Sequence, residues 1–253
     1  MSDAREVAAA WAEWTADAPG NITTSLRVMT LPPIPGFPFK VTRRPLLVID
    51  GTAIDRDGRT ATQSAKTLLA TLRRVAEPVF DSWRATDIAE VAITHMDPDF
   101  GGLAHRTDTA LLGAAEGRGA ARSRAIVDAF LDVVTADTAP FLMAELRQLG
   151  GALGQRPADA GAVGHFDADF AWFGGVVLGK KRSAEDAAVA FTAARAAFAE
   201  WVTEYTVPTF AADRDRPQRN YPAEVRARVE RIRAAIDPEG RFRGDVSVGA
   251  LAS

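Results

Sequence analysis

The chain has 253 residues, 47% of them hydrophobic and 25% charged, the balance of a folded domain rather than of a disordered one. Lys plus Arg number 30 against 33 Asp plus Glu, a formal net charge of −3 mixed along the chain, which argues against a nucleic-acid-binding protein. Cysteine is absent, so disulfides, thiolate metal sites and cysteine nucleophiles are excluded, and a core that buries roughly 70 to 75% of the unfolded surface holds by packing alone.

The start, Met1 to Ala10, is acidic and alanine-rich and has neither the basic residues nor the apolar run of a secretory signal, so the expected location is the cytoplasm. The longest apolar stretch, Phe170 to Gly179, is far shorter than the ~20 residues of a membrane span, and no membrane segment is expected.

Val7, Trp11 and Trp14 recur at helical spacing, and Pro19-Gly20 closes that first helix. Residues 22–31 alternate and are rich in β-branched types, and the apolar run Leu46 to Ile49 follows a proline-rich crossover; both read as strands. Thr60 and Gln63 resemble a capping box ahead of a helix over 61–75, with Leu68, Leu69, Leu72 and Val75 on one face. Glu77 to Trp83 reads as a further strand and 93–107 as a loop. Ile126, Val127, Phe130, Val133 and Val134 share a helical face that ends before Pro140. Strands over 141–149 and 168–178 come next, then a helix started by Ser183 and Asp186 with Phe191, Ala194, Phe198, Trp201 and Val202 as its stripe. Residues 206–220 read as an irregular excursion. A last helix opens at Pro222, carries Val225, Val229, Ile232 and Ile236, and stops at Asp237-Pro238-Glu239-Gly240. Strands and helices do not alternate strictly, so the expected class is α+β, a broad antiparallel sheet with helices packed on one face.

Few constellations carry chemistry. Gly174 to Lys181 nearly fits a phosphate loop, but lysine stands where Ser or Thr is needed, and Val176 to Leu178 belong in a strand. His95, Asp97, Asp99, His105 and Asp108 crowd one loop in a spacing that matches no established metal site, and turn chemistry accounts for them. His165 beside Asp167 reads as structural rather than as a general base, and no G-x-S-x-G elbow occurs. Glu145 and Arg147, together with Leu149, share one strand face. They either face a ligand or form a solvated cross-strand charge pattern, and the residues alone leave both readings open.

Several motifs in order carry a family resemblance: Trp11-Ala12-Glu13-Trp14-Thr15, Leu31-Pro32-Pro33, His95-Met96-Asp97-Pro98, Glu145-Leu146-Arg147 with Gly150-Gly151-Ala152-Leu153, and Tyr221-Pro222 with Asp237-Pro238-Glu239-Gly240-Arg241-Phe242-Arg243. The chain resembles the C-terminal half of the bacterial FAD-linked oxidoreductases, the berberine-bridge-enzyme-like members of the vanillyl-alcohol-oxidase superfamily. The resemblance implies a substrate (cap) domain over 1–205 and a tail over 206–253 that returns to a flavin domain absent from this sequence. It implies hydride transfer from a small organic substrate to flavin, with FAD as cofactor, although no G-x-G-x-x-G or equivalent loop gives reason to expect FAD on this chain alone. A separate flavin-binding chain or a homo-oligomer is the implied partner; the rival reading is a non-catalytic relic or a binding subunit that docks on another polypeptide. By resemblance Glu145 is a base and Arg147 a substrate anchor, Asp167 and Asp169 are lesser substrate contacts, and Thr209, Phe210, Tyr221 and Asp245 lie near the flavin. Thr209 and Asp245 replace two asparagines of the family pattern, and an ionised Asp245 would repel a reduced, anionic flavin.

Overall fold

The computed structural model describes residues 2–30, 44–56, 58–91, 103–113, 119–180, 182–207, 209 and 221–241. Its elements in chain order are α1 (Ser2–Ala16), β1 (Ile22–Thr30), β2 (Pro45–Ala53), α2 (Arg59–Arg73), the single turn α3 (Ile88–Val91), β3 (His105–Leu112), α4 (Ala120–Val134), β4 (Met143–Gln148), β5 (Phe170–Val177), α5 (Ala184–Ala197) and α6 (Ala223–Ile236). The strands form one sheet in the order β2-β1-β4-β5-β3, and each neighbouring pair is antiparallel. The expected α+β class is the observed one. Among the described residues no helix is long and apolar enough to cross a membrane.

Alternation along each strand decides which side is covered. Ile22, Thr24, Leu26 and Val28 of β1 share a face with Ala144, Leu146 and Gln148 of β4 and with Phe170, Trp172 and Val176 of β5. On this face α1 packs between α2 and α4, and α5 packs against α4, so the helices run over the sheet in the order α2-α1-α4-α5. The main core lies between the two layers. At its centre Trp172 meets Phe130 and Phe141 edge-on, both at 5.8 Å between ring centroids, and Phe198 at 5.1 Å. Its indole N–H donates to the buried carboxylate of Asp108 over 3.2 Å, and Arg195 of α5 closes that ion pair from above. A second buried polar chain ties α1 to the sheet: Trp11 Nε1 donates to Thr24 Oγ1 at 2.9 Å, which donates to Gln148 Oε1 at 2.7 Å.

Helix starts follow local chemistry. Ser183 and Asp186 close the expected capping box at α5. The expected Thr60–Gln63 box at α2 does not form: the cap residue is Gly58, at φ 73°, without a side-chain bond. Instead the Asp55 carboxylate accepts from the Gly58 amide and, at 2.6 Å, from the Ala61 amide. An acidic side chain just outside the helix thereby serves its unpaired amides and its positive end.

Two expectations are corrected. Glu77 to Trp83 is not a strand but an irregular segment with Val79 and Phe80 half exposed, held by the Arg73–Asp81 ion pair. His105 to Thr107, read as loop, begin β3, whose side chains alternate against β5 along its whole length. Its apolar residues are confined to one end, so its amphipathic period is weak in sequence. The stretch Gly174 to Val177 is strand, as its apolar run requires; Lys181 lies outside the described residues. The face of α6 bearing Val225, Val229, Ile232 and Ile236 is helical as expected but not buried: Ile232 and Ile236 are exposed, and no residue of α6 is buried.

Candidate functional site

Among the described residues no helix packs on the other sheet face, and that face carries Arg27, Asp50, Glu145 and Arg147. The register brings Ser25 opposite both Asp50 and Arg147, and Arg27 opposite Glu145. Asp50, Arg27, Glu145 and Arg147 thus alternate in sign across three adjacent strands. Arg27 is buried to 1% exposure, its guanidinium paired with Asp50, and Nη1 lies 3.7 Å from Met143 Sδ. The Glu145 side chain is 6% exposed and that of Arg147 is 32% exposed. Glu145 Oε1 accepts from Ser25 Oγ at 2.8 Å and from Arg147 Nε at 2.8 Å. Phe173, the register partner of Glu145 on β5, and Met143 and Met29, partners of one another, flank the charges as half-buried apolar ground.

At one end of this face a small second core forms from Leu111, Leu149, Ala168 and Ala171, with Phe166 and Val207 packed on it. It holds the long β4–β5 connection against the sheet beside Arg147, whose register partner is Ala171.

The sequence-derived candidates are distributed unevenly. Glu145 and Arg147 are brought together on the face that no described helix covers, bonded to one another. Asp167 is exposed, in the β4–β5 connection. Asp169 is buried and paired bidentately with Arg122 of α4, Nε to Oδ2 at 2.7 Å and Nη2 to Oδ1 at 3.3 Å, an arrangement that ties the start of β5 to the helix layer. The carboxylate holds the Arg122 guanidinium above its ordinary value. Thr209 is exposed and Tyr221 is half-buried immediately before α6; Phe210 and Asp245 lie outside the described residues. His165 is exposed. Of the histidine- and aspartate-rich loop, His95, Asp97 and Asp99 lie outside the described residues, while His105 and Asp108 sit at positions of opposite parity on β3 and so face opposite sides of the sheet. Among the described residues no group of three or more His, Asp or Glu is arranged to hold a metal ion.

Ser25, Arg27 and Asp50 were missed. The signal in the sequence was small: a serine and an arginine at alternate positions inside a threonine-rich strand, and one aspartate ending the run Leu46 to Ile49. Only the pairing of β1 with both β2 and β4 puts them beside Glu145.

No family model matches the sequence, and no curated protein matches it. Solved structures do match in fold. 6-Hydroxy-D-nicotine oxidase from Arthrobacter nicotinovorans superposes with a TM-score of 0.66 at 15% identity, over 98% of this chain and 52% of that one. Berberine bridge enzyme, as its H104A variant, gives 0.68 at 12% identity over 99% of this chain and 53% of that one. Aclacinomycin oxidoreductase gives 0.64 at 15% identity over 99% and 52%. The chain spans about half the length of each of these structures. In fold, then, it corresponds to one half of a protein of the kind that includes 6-hydroxy-D-nicotine oxidase and berberine bridge enzyme, the group that its sequence motifs resemble.

Proposed function

We propose that this chain is the substrate-binding portion of an FAD-dependent oxidoreductase and works together with a flavin-binding half. One observation carries the reading: four side chains joined in salt bridges, Arg27 with Asp50 and Arg147 with Glu145, are gathered, largely buried, on the sheet face that no described helix covers. Taking charges from water costs several kcal/mol per ion unless partners compensate, so such a cluster is expected where function requires it. An oxidase-like fold at half the matched length supports the same reading.

The residues present suit one side of a flat ring rather than a whole dinucleotide. Phe173 and Met143 offer apolar ground and Glu145 and Arg147 polar contacts, but the chain has no G-x-G-x-x-G turn for a pyrophosphate. A bound flavin would supply a two-electron acceptor for hydride. The chain's own part is to bind and orient a small organic substrate between Arg147 and the apolar ground, with Asp167 as an outer contact. Glu145 takes the proton from the substrate hydroxyl or amine. Thr209, Phe210, Tyr221 and Asp245 would lie toward the flavin. The residues over 206–253 form the tail that docks on the flavin half, a role that suits α6 with its exposed Ile232 and Ile236.

The test is visible flavin absorbance of the purified chain, alone and co-expressed with a flavin-domain polypeptide. The expected result is colourless protein alone and a yellow complex. Yellow protein from the chain alone would overturn the need for a partner. Colourless protein in both would favour a non-catalytic binding subunit.

A further inference from the structure

The hydrogen bonds around Glu145 are asymmetric. Ser25 Oγ and Arg147 Nε both donate to Oε1, each at 2.8 Å, and neither bond uses Oε2. The donors come from different strands, β1 and β4, and are register partners of each other, so the sheet itself sets their spacing. Ser25 is buried to 2% exposure and Glu145 to 4%. Another cation, Arg27, lies opposite Glu145 in register, yet its guanidinium is turned to Asp50. Serine is an uncommon choice for the middle of a central strand, where branched side chains pack better. Its hydroxyl here is spent on one carboxylate oxygen.

We infer that Ser25 is a positioning residue for Glu145: together with Arg147 it saturates Oε1 and fixes the carboxylate's rotation, so that Oε2 is the oxygen presented to a donor group on the substrate. The inference rests on the proposed role of this face but concerns only the chain's own residues. Two charge-assisted bonds on one oxygen hold a carboxylate far better than one, because a single bond leaves rotation about the terminal torsion open. Asp50 contributes by occupying Arg27, which would otherwise be drawn to the same carboxylate across the strand pair.

The test uses the chain alone and benzylammonium as probe, a cation whose N–H groups reach a carboxylate while its ring lies on Phe173 and Met143. Binding is followed by NMR through the Met143 methyl and the Arg147 Nε–H resonance. Ser25→Ala keeps every charge, so any weakening reports orientation rather than attraction. The expected outcome is about tenfold weaker binding, or ~1.4 kcal/mol, in Ser25→Ala. Its Arg147 Nε–H signal is displaced and exchanges faster, while Ser25→Thr restores both and the melting midpoint stays near that of the wild type. Glu145→Gln abolishes binding. Equal affinity of Ser25→Ala and wild type would overturn the inference, as would failure of the wild type to bind or unimpaired binding by Glu145→Gln. Should Ser25→Ala not fold, Ser25→Cys, of similar volume and weak as a donor, replaces it with the same expected loss. Flavin absorbance plays no part in these readings, so a failure of the proposed function and a failure of the positioning role are told apart.

Discussion

Gly113 takes φ 111°, and a Cβ built there would stand 2.7 Å from the backbone nitrogen and from the carboxylate of Asp169. Its amide donates to Trp201 O at 2.8 Å, while the Asp169 amide donates to Leu112 O at 2.8 Å. One residue thus combines a left-handed backbone with a close approach that keeps Asp169 aimed at Arg122. Gly113→Ala is expected to cost about 2 kcal/mol or more and to loosen that ion pair, measurable as a fall in the denaturation midpoint. At Glu145 the expected effect is on reaction instead. In a flavin-loaded complex, Glu145→Gln should lower the rate of substrate-driven flavin bleaching by a factor of about 10² to 10⁴ while leaving the melting midpoint little changed. A rate within a few-fold of wild type would remove Glu145 from the proposed mechanism.

Helix starts and the aromatic centre decide behaviour at the scale of elements. Ser183 caps α5, and its loss in Ser183→Ala should cost ~1 kcal/mol. The backbone amide of Ser183, then its hydroxyl, hold the Asp186 carboxyl below its ordinary 3.8. Burial pushes the Asp55 carboxyl up, but the amides of Ala61 and Gly58 and the contacts of Thr60 outweigh it and leave it below 3.8. A carboxyl depressed in the folded state stabilises at pH above its unfolded value and loses that contribution as pH falls through the folded one. Both helix starts should therefore hold unchanged down to about pH 4 and loosen in stronger acid, a trend that Asp186→Asn removes for α5, as amide hydrogen exchange would report. Trp172→Ala empties the space among Phe130, Phe141 and Phe198 and strips a donor from buried Asp108. The expected loss is about 3 to 5 kcal/mol, read by chemical denaturation.

Across the whole molecule the two sheet faces divide the work. The helix-covered face supplies the stability, and the opposite face gathers Asp50, Arg27, Glu145 and Arg147. The tail helix α6 adds an apolar stripe that the described residues leave open. Ile232→Glu with Ile236→Glu should leave the isolated chain's melting midpoint within about 0.5 kcal/mol of wild type, since exposed positions contribute little. The same pair should abolish co-purification with the flavin half. A complex that forms undisturbed would mean that α6 is not part of the contact.

What the sequence by itself determined was local. Period-3.6 stripes specify α1, α2, α4 and α5, β-branched alternation specifies β1, and Ser183 with Asp186 specifies a helix start, because each signal lies within a few residues of chain. The motifs likewise pointed to the group of proteins whose fold the chain shares. Tertiary structure alone decided the rest. The strand β3 has its apolar residues at one end and becomes legible only against β5. Thr60 and Gln63 had the right spacing for a cap, yet the helix starts earlier, after Gly58, and Asp55 serves the amides of Gly58 and Ala61. Asp169 reads like its neighbour Asp167 in sequence, but burial against Arg122 gives it a structural partner. The site cluster assembles from β1, β2 and β4, with Ser25 and Glu145 standing 120 positions apart, and strand register, which no local pattern encodes, sets Ser25 and Arg27 beside Glu145.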